Sequence, residues 1–186
     1  YASSSSVYGL NEKVPFETTD NVDYPVSLYA ATKKSNELMA HTYSHLYGFD
    51  STGLRFFTVY GPWGRPDMAY FSFTEAILAD KPIRVYNQGN LSRDFTYIDD
   101  IVNGILLILT KGFKAHSGAK SNASIYNIGR GQPVNLMDFI KTIGKQLKKE
   151  PIIELLPMQD GDVYTTWADT HELHKNYGYT PKVDLE

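Results

Sequence analysis

Tyr1-Ala2-Ser3-Ser4-Ser5-Ser6-Val7-Tyr8-Gly9 and, after a polar loop, Tyr29-Ala30-Ala31-Thr32-Lys33 are the two stretches on which the fold is read. The first reads as the end of a strand closed by a serine cluster. The second opens a helix predicted over Tyr29 to Tyr47, with Pro25 and Ser27 at its start, apolar positions at Leu28, Ala31, Leu38, Tyr43 and Leu46, and Gly48 as its stop. Thr52 to Tyr60 follows as an apolar, β-branched and aromatic run before Gly61-Pro62, predicted to be one buried parallel strand. Strand, crossover helix and strand make a right-handed β-α-β unit, so the chain is α/β.

Outward from that unit, helices are predicted near Tyr70 to Ala79, over Ile101 to Leu109 behind Asp99 and Asp100, from Asn135 to Lys148, and over Asp169 to Tyr177. Short strands are expected at Ile83 to Tyr86, Phe95 to Tyr97, Ile125 to Ile128 and Pro151 to Leu155, with Lys111 to Asn122 as an exposed loop. The chain has 186 residues, 42% of them apolar, and a formal charge of −3, enough for a core and too balanced for a polyanion partner, so no nucleic acid is expected. Its 14 Tyr, 9 Phe and 2 Trp are spread along the chain rather than interleaved with Arg and Lys. No apolar run approaches the roughly 20 residues that span a bilayer, and no signal peptide opens the chain. With no cysteine, disulfide frameworks, thiolate metal sites and thiol catalysis drop out, and a cytoplasmic enzyme is the expectation.

Residues four apart on a helix share a face, so Tyr29 and Lys33 should point together. A phenol near its reference pKa of about 10 is a poor base at neutral pH, and a neighbouring ammonium favours the phenolate. Ser4, at the end of the adjacent strand, can hydrogen-bond the same substrate hydroxyl and pass its proton to Tyr29. His41 and His45 have two-histidine metal spacing but no third ligand, and read as a helix face with no metal. Gly129-Arg130-Gly131 resembles a phosphate loop, yet is short and late, and reads as a turn. Lys145, Lys148 and Lys149 read as a solvated helix end.

Ser5-Ser6-Val7-Tyr8-Gly9, Pro25 followed by Tyr29 and Lys33, Leu54-Arg55-Phe56-Phe57-Thr58-Val59-Tyr60-Gly61-Pro62 and Arg93-Asp94-Phe95-Thr96-Tyr97-Ile98-Asp99-Asp100 together resemble the extended short-chain dehydrogenase/reductase superfamily of nucleotide-sugar epimerases and dehydratases. The resemblance implies the second half of a doubly wound, Rossmann-type NAD-binding sheet with a smaller α/β substrate-binding lid. On that reading residues 1–61 belong to the sheet, 62–97 to the lid, 98–129 return to the sheet and 130–186 complete the lid. It implies NAD as cofactor, Tyr29 as base, Lys33 on the nicotinamide ribose, Ser4 in proton transfer and Arg93 on a phosphate of a UDP-sugar; the alternative for Arg93 is a surface pair with Asp94 or Asp99. The Pro82-Ile83-Arg84-Val85-Tyr86 segment, through Arg84 and Tyr86, is expected to line the uracil. A homodimer is expected of the whole protein. Dinucleotide-binding halves open with a strand and a glycine-rich turn, which nothing before Tyr1 supplies, so the chain is expected to be a fragment.

Dehydratases of this superfamily carry an acid just before Val-Tyr-Gly, where this chain has Ser5 and Ser6, and that favours epimerisation. The run Arg55 to Pro62, continued by Trp63-Gly64-Arg65-Pro66-Asp67-Met68, and Met158-Gln159-Asp160-Gly161-Asp162-Val163 further resemble the UDP-glucuronate 4-epimerases, which would serve surface polysaccharide synthesis. Oxidising C4 of glucuronate places a ketone β to the C6 carboxylate, and a β-keto acid readily loses carbon dioxide. Ser5, Ser6 and Thr58 supply hydroxyl donors, and Arg65 a charged one, to hold that carboxylate out of line. Gln159 and Asp162 are the remaining expected substrate contacts. Epimerases of UDP-N-acetylhexosaminuronate or neutral UDP-hexoses, and a catalytically silent fragment that binds UDP-sugar, are the alternatives.

Overall fold

The protein is described by a computed structural model for residues 1–115, 122–158 and 163–185. In chain order its elements are β1 (Ala2–Ser4), α1 (Leu28–Tyr47), β2 (Ser51–Phe56), β3 (Thr58–Tyr60), α2 (Ala69–Leu78), β4 (Ile83–Val85), β5 (Ser92–Tyr97), α3 (Ile98–Lys111), β6 (Ala123–Ile128), β7 (Pro133–Asn135), α4 (Leu136–Leu147), β8 (Ile153–Leu155) and α5 (His171–Tyr177). One sheet has the order β1-β2-β6, all parallel, with Ser4 opposite Phe56 and Phe56 opposite Ile128. A second has the order β3-β5-β7, the first pair parallel and the second antiparallel. A parallel pair, β4 and β8, makes a third. The α/β class and the β-α-β unit stand.

Several boundaries differ from the sequence reading. The single strand expected over Thr52 to Tyr60 is two strands in two sheets. At Phe57 the backbone N–H still reaches Ile128 O at 3.1 Å, and from Thr58 the chain leaves β6 and pairs with β5. Helix α3 starts at Ile98 and runs to Lys111, into the segment expected to be a loop. Asp100 does not merely face the helix's positive end: it is buried and accepts from the N–H groups of Lys182 and Val183 at about 3 Å, which fastens the last stretch of chain to α3. Lys149 is not simply solvated, since its Nζ pairs with Asp80 at 2.9 Å.

The largest correction concerns α1. Leu28, Leu38, Tyr43 and Leu46 are exposed, and the buried positions are Ala30, Glu37 and Ser44, seven residues apart. The face that packs on the sheet is therefore small and polar, and it is held by hydrogen bonds. Glu37 accepts from Arg55 Nε and Nη2 through its two oxygens at 2.8 and 2.9 Å, and from Ser3 Oγ at 2.6 Å. Arg55 Nη1 donates to Tyr8 Oη at 3.0 Å, and Tyr8 donates in turn to Asn127 Oδ1 at 2.6 Å. Burial works to lower the Arg55 pKa, but the Glu37 hydrogen bonds and the nearby Tyr8 hold it above its usual value. Ser44 closes the other end of the helix by donating to Asn122 O at 3.0 Å and to Phe49 O.

The opposite side of the parallel sheet is apolar. Leu54, Tyr126 and Ile128 pack there with Ile101 and Ile108 of α3 and with Leu173, Tyr177 and Tyr179. Gly104 allows that approach, because a Cβ would stand 2.8 Å from Ile128 Cδ1. A separate core of Ile77, Ile83, Val85, Leu91, Leu136 and Ile140 joins α2, α4 and the β4–β8 pair. No helix among the described residues is long and apolar enough to cross a membrane.

Removing one member of a buried ion pair leaves the other charge without its partner, at about 3–5 kcal/mol. Glu37→Gln should therefore lower unfolding stability by roughly that amount, measured by the urea midpoint at constant slope. A loss within the range of an exposed pair, below about 1 kcal/mol, would show that the Glu37–Arg55 pair does not hold α1 to the sheet.

Candidate active site

Open α/β sheets bind ligands outside the carboxyl ends of their parallel strands, and β1 ends at Ser4. There Ser4 accepts from Ser6 N at 3.2 Å and donates to Ser6 Oγ at 3.1 Å, which turns the chain into a single 3-10 turn over Ser5–Tyr8. Gly9 ends the turn at φ 57°, where a Cβ would lie 2.6 Å from Tyr24 O, so only glycine fits. Ser27, extended and just ahead of α1, accepts from Ala30 N at 3.1 Å and caps the helix.

Tyr29 and Lys33 stand on one face of α1, as their spacing requires. Lys33 Nζ lies 5.6 Å from the Tyr29 ring centroid and donates to Ala2 O at 3.2 Å, so the ammonium is anchored to β1 beside an exposed phenol. Ser4, buried, is engaged with Ser6.

Two cavities adjoin this end of the sheet. One, of about 230 Å³, is lined by Ser5, Ser6, Ser27, Thr58, Arg93 and Thr166, together with Gly9, Phe16, Val26 and Val163. Among the described residues lining it there is no carboxylate. The other, of about 460 Å³, lies toward the second core and includes Thr58, Phe73, Arg84, Tyr86, Arg93 and Leu136. Thr58 and Arg93 line both. Thr58 opens β3 and Arg93 lies on β5, so the departure of the chain from β6 after Phe57 brings the two residues together. Arg93 Nη1 donates to Ser92 O at 2.9 Å and to Tyr164 O at 3.4 Å.

Of the residues expected at the site, Ser5, Ser6, Thr58, Arg84, Tyr86 and Arg93 therefore share the two cavities. Arg65 does not line either: its Nη2 pairs with Asp67 at 3.3 Å on the exposed loop before α2. Gln159 and Asp162 lie outside the described residues. Among the described residues no group of His, Asp and Glu is arranged to hold a metal, and His41 and His45 are exposed. The sequence reading gave no part to Ser27 or Thr166 in the smaller cavity, nor to the Glu37–Arg55–Ser3 cluster behind it. A sequence signal for the cluster existed: Glu37 continues the Tyr29, Lys33 spacing by one more turn, and Arg55 interrupts an apolar strand.

Asp94 does not pair on the surface with Arg93. It is fully buried, and its carboxylate accepts from Arg130 N at 2.8 Å, Gly131 N at 2.9 Å and Ala168 N at 3.0 Å. Burial pushes its pKa above the usual carboxylate range, with these N–H bonds pulling the other way. The turn at Gly129-Arg130-Gly131 thus binds an anion, and the anion is the protein's own.

Comparison with known proteins gives the family and the fold. Residues 1–129 match the NAD dependent epimerase/dehydratase family. UDP-glucuronate 4-epimerase 1 of Arabidopsis thaliana is 52% identical, over 100% of this chain and 46% of its own length. The crystal structure of UDP-glucuronic acid 4-epimerase from Bacillus cereus, in complex with UDP-glucuronic acid and NAD, superposes with a TM-score of 0.85 at 34% identity, covering 99% of this chain and 56% of that one. UDP-N-acetylglucosamine 4-epimerase from Methanobrevibacter ruminantium, in complex with UDP-N-acetylmuramic acid, also superposes at 0.85, with 29% identity over 99% of this chain and 57% of its own. The chain spans about half the length of the relatives it matches.

Loss of a serine cap typically removes about 1 kcal/mol of stability. Ser27→Ala should lower stability by about that much through the start of the helix that carries Tyr29, measured by chemical denaturation. No change at all would mean that the cap does not hold the helix start.

Proposed function

We infer the activity from one premise: the chain belongs to the NAD dependent epimerase/dehydratase family. The whole protein, on this proposal, is an NAD-dependent 4-epimerase that interconverts UDP-glucuronate and UDP-galacturonate. The observation that carries the reading is the smaller cavity, ringed by serine and threonine hydroxyls with Arg93, and free of carboxylates among the described residues that line it. An acidic sugar fits such a lining, and Ser5 and Ser6 stand there in place of the added acid or base that elimination needs. The identity to UDP-glucuronate 4-epimerase 1 supports the same substrate. Neutral and N-acetylated UDP-sugars are the second reading, favoured by the equally close superposition of the N-acetylglucosamine enzyme.

The ammonium and phenol side by side on α1 suit the ribose hydroxyls of a nicotinamide cofactor, and Tyr29 and Lys33 are the residues that would hold it. Bound NAD would supply reversible hydride removal at C4. Tyr29, as phenolate beside the Lys33 charge, takes the proton of the 4-hydroxyl and later returns one, with Ser4 as relay once its bond to Ser6 rearranges. Arg93, on the wall between the cavities, holds the diphosphate while the sugar presents either face to the same tyrosine. Arg84 and Tyr86 lie in the larger cavity, on the uridine side. Ser5, Ser6 and Thr58 orient the sugar carboxylate, and Arg65 reaches it only if its loop moves inward from the Asp67 pair. The cofactor side comprises residues 1–61 and 98–129, and the lid 62–97 and 130–186. Strand pairing supports this division except at Thr58–Tyr60, whose hydrogen bonds go to β5. Packing departs from it at the far end, where Leu173, Tyr177 and Tyr179 lie against the parallel sheet and Lys182 and Val183 are bonded to Asp100 of α3.

Tyr29→Phe in the whole protein should abolish turnover while UDP-glucuronate still binds, as read by calorimetry beside an assay of the C4 epimer. Retained turnover would remove Tyr29 as the base. Thr58→Ala should raise the fraction of decarboxylated, pentose-bearing product measured by NMR. Slower turnover with no pentose would mean that Thr58 does not govern the carboxylate.

A further inference from the structure

We propose that Asp94 is a positioning residue: its buried carboxylate sets the place of the Arg93 guanidinium between the two cavities, and so governs the affinity for a nucleoside diphosphate. This rests on the reading of Arg93 as a diphosphate ligand.

Neighbouring residues on a strand point to opposite faces. Arg93 faces the two cavities, and Asp94 faces inward, with no exposed surface. Its carboxylate draws together two segments that are remote in sequence, the turn at Arg130 and Gly131 and the stretch ending at Ala168. The second segment is also tied to β5 from the backbone side. Asp94 N donates to Thr166 Oγ1 at 3.3 Å, Ser92 N to Tyr164 O at 2.9 Å, and Thr166 N to Ser92 O at 3.1 Å.

Two of the carbonyls in that ladder, Ser92 O and Tyr164 O, accept from Arg93 Nη1. The guanidinium is thus oriented by a stretch of backbone whose attachment to β5 is completed by Asp94. A carboxylate accepting three N–H bonds is worth more than a neutral amide at the same place, because hydrogen bonds to a charged group are about twice as strong and an amide offers one acceptor oxygen in place of two. Val163 and Thr166, on the same segment, also line the smaller cavity, so its loosening reaches the sugar side as well.

The test is Asp94→Asn in the whole protein, with UDP and uridine as probes in calorimetry. UDP affinity should fall about tenfold, equivalent to about 1.4 kcal/mol, while uridine, which lacks the diphosphate, binds as before. In an Arg93→Ala background the same substitution should have no further effect on UDP. Equal weakening of UDP and uridine, or a full additional loss in the Arg93→Ala background, would overturn the proposal in favour of a purely structural role. Where Asp94→Asn does not fold, Trp167→Phe takes its place. That change removes the Nε1 bond to Gly131 O at 2.9 Å, a second tie between the two segments, and should weaken UDP a few-fold with uridine unchanged. Unchanged UDP affinity in a folded variant would also overturn it. Because UDP carries no hexose on its diphosphate, the outcome is independent of whether UDP-glucuronate is the substrate. Failure of Arg93→Ala to weaken UDP would instead reject the Arg93 reading itself.

Discussion

The buried pair between Glu37 and Arg55 is the contact on which the geometry of the site depends. It joins the middle of α1 to the middle of β2, and through Ser3, Tyr8 and Asn127 it reaches β1, the serine turn and β6. Burying two charges is unfavourable unless their lone pairs and protons are satisfied, and here both Glu37 oxygens and three Arg55 nitrogens are bonded. An apolar helix face could slide by a fraction of a turn at little cost, whereas a bidentate pair admits one register. Glu37 lies on the line of Tyr29 and Lys33, so fixing Glu37 fixes where the phenol and ammonium stand over the end of β1.

The second constraint is the parting of the chain at Phe57. Up to Phe56 the backbone is committed to the parallel sheet; its last bond to β6 is made by Phe57 N, and from Thr58 it belongs to the sheet with β5. One continuous extended run thus serves two sheets, and the crevice between them holds the smaller cavity. Thr58, first residue past the parting, and Arg93, on β5, are common to both cavities for this reason.

Element types were largely legible in the sequence, because helix caps and strand composition are local signals. Ser27, Gly48 and Asn135 act as read, the first and last by accepting N–H bonds and the glycine by its left-handed conformation. Pairing is not local, and nothing in Thr52 to Tyr60 marks the residue at which one sheet gives way to another. The orientation of α1 is not legible in the sequence for a definite reason: its large apolar residues Leu28, Leu38, Tyr43 and Leu46 are exposed in this chain, and its packing face uses Ala30, Glu37 and Ser44. A pattern rule that places apolar residues inward cannot find a face built from an ion pair and a hydroxyl. The hydroxyl ring of the site was half legible, since Ser5, Ser6 and Thr58 belong to recognisable motifs while Ser27 and Thr166 enter only through folding.

The turn at Gly129-Arg130-Gly131 shows how a local pattern can carry the correct physics and the wrong ligand. Glycine-rich turns after strands expose backbone N–H groups, which is why they suit phosphates. Here the same exposure receives the Asp94 carboxylate from within the fold, at 2.8 and 2.9 Å. An anion supplied by the protein needs no external ligand to satisfy the turn, and it converts a loop that could have been a binding site into a fastening of β5 to the turn at Arg130 and Gly131 and to Ala168. The charge is thereby placed one residue from Arg93, on the opposite face of the strand. The guanidinium faces the cavities, with the Ser92 and Tyr164 carbonyls steering its Nη1, and on the proposed function this suits a residue that would hold one end of a substrate still while the other end turns over.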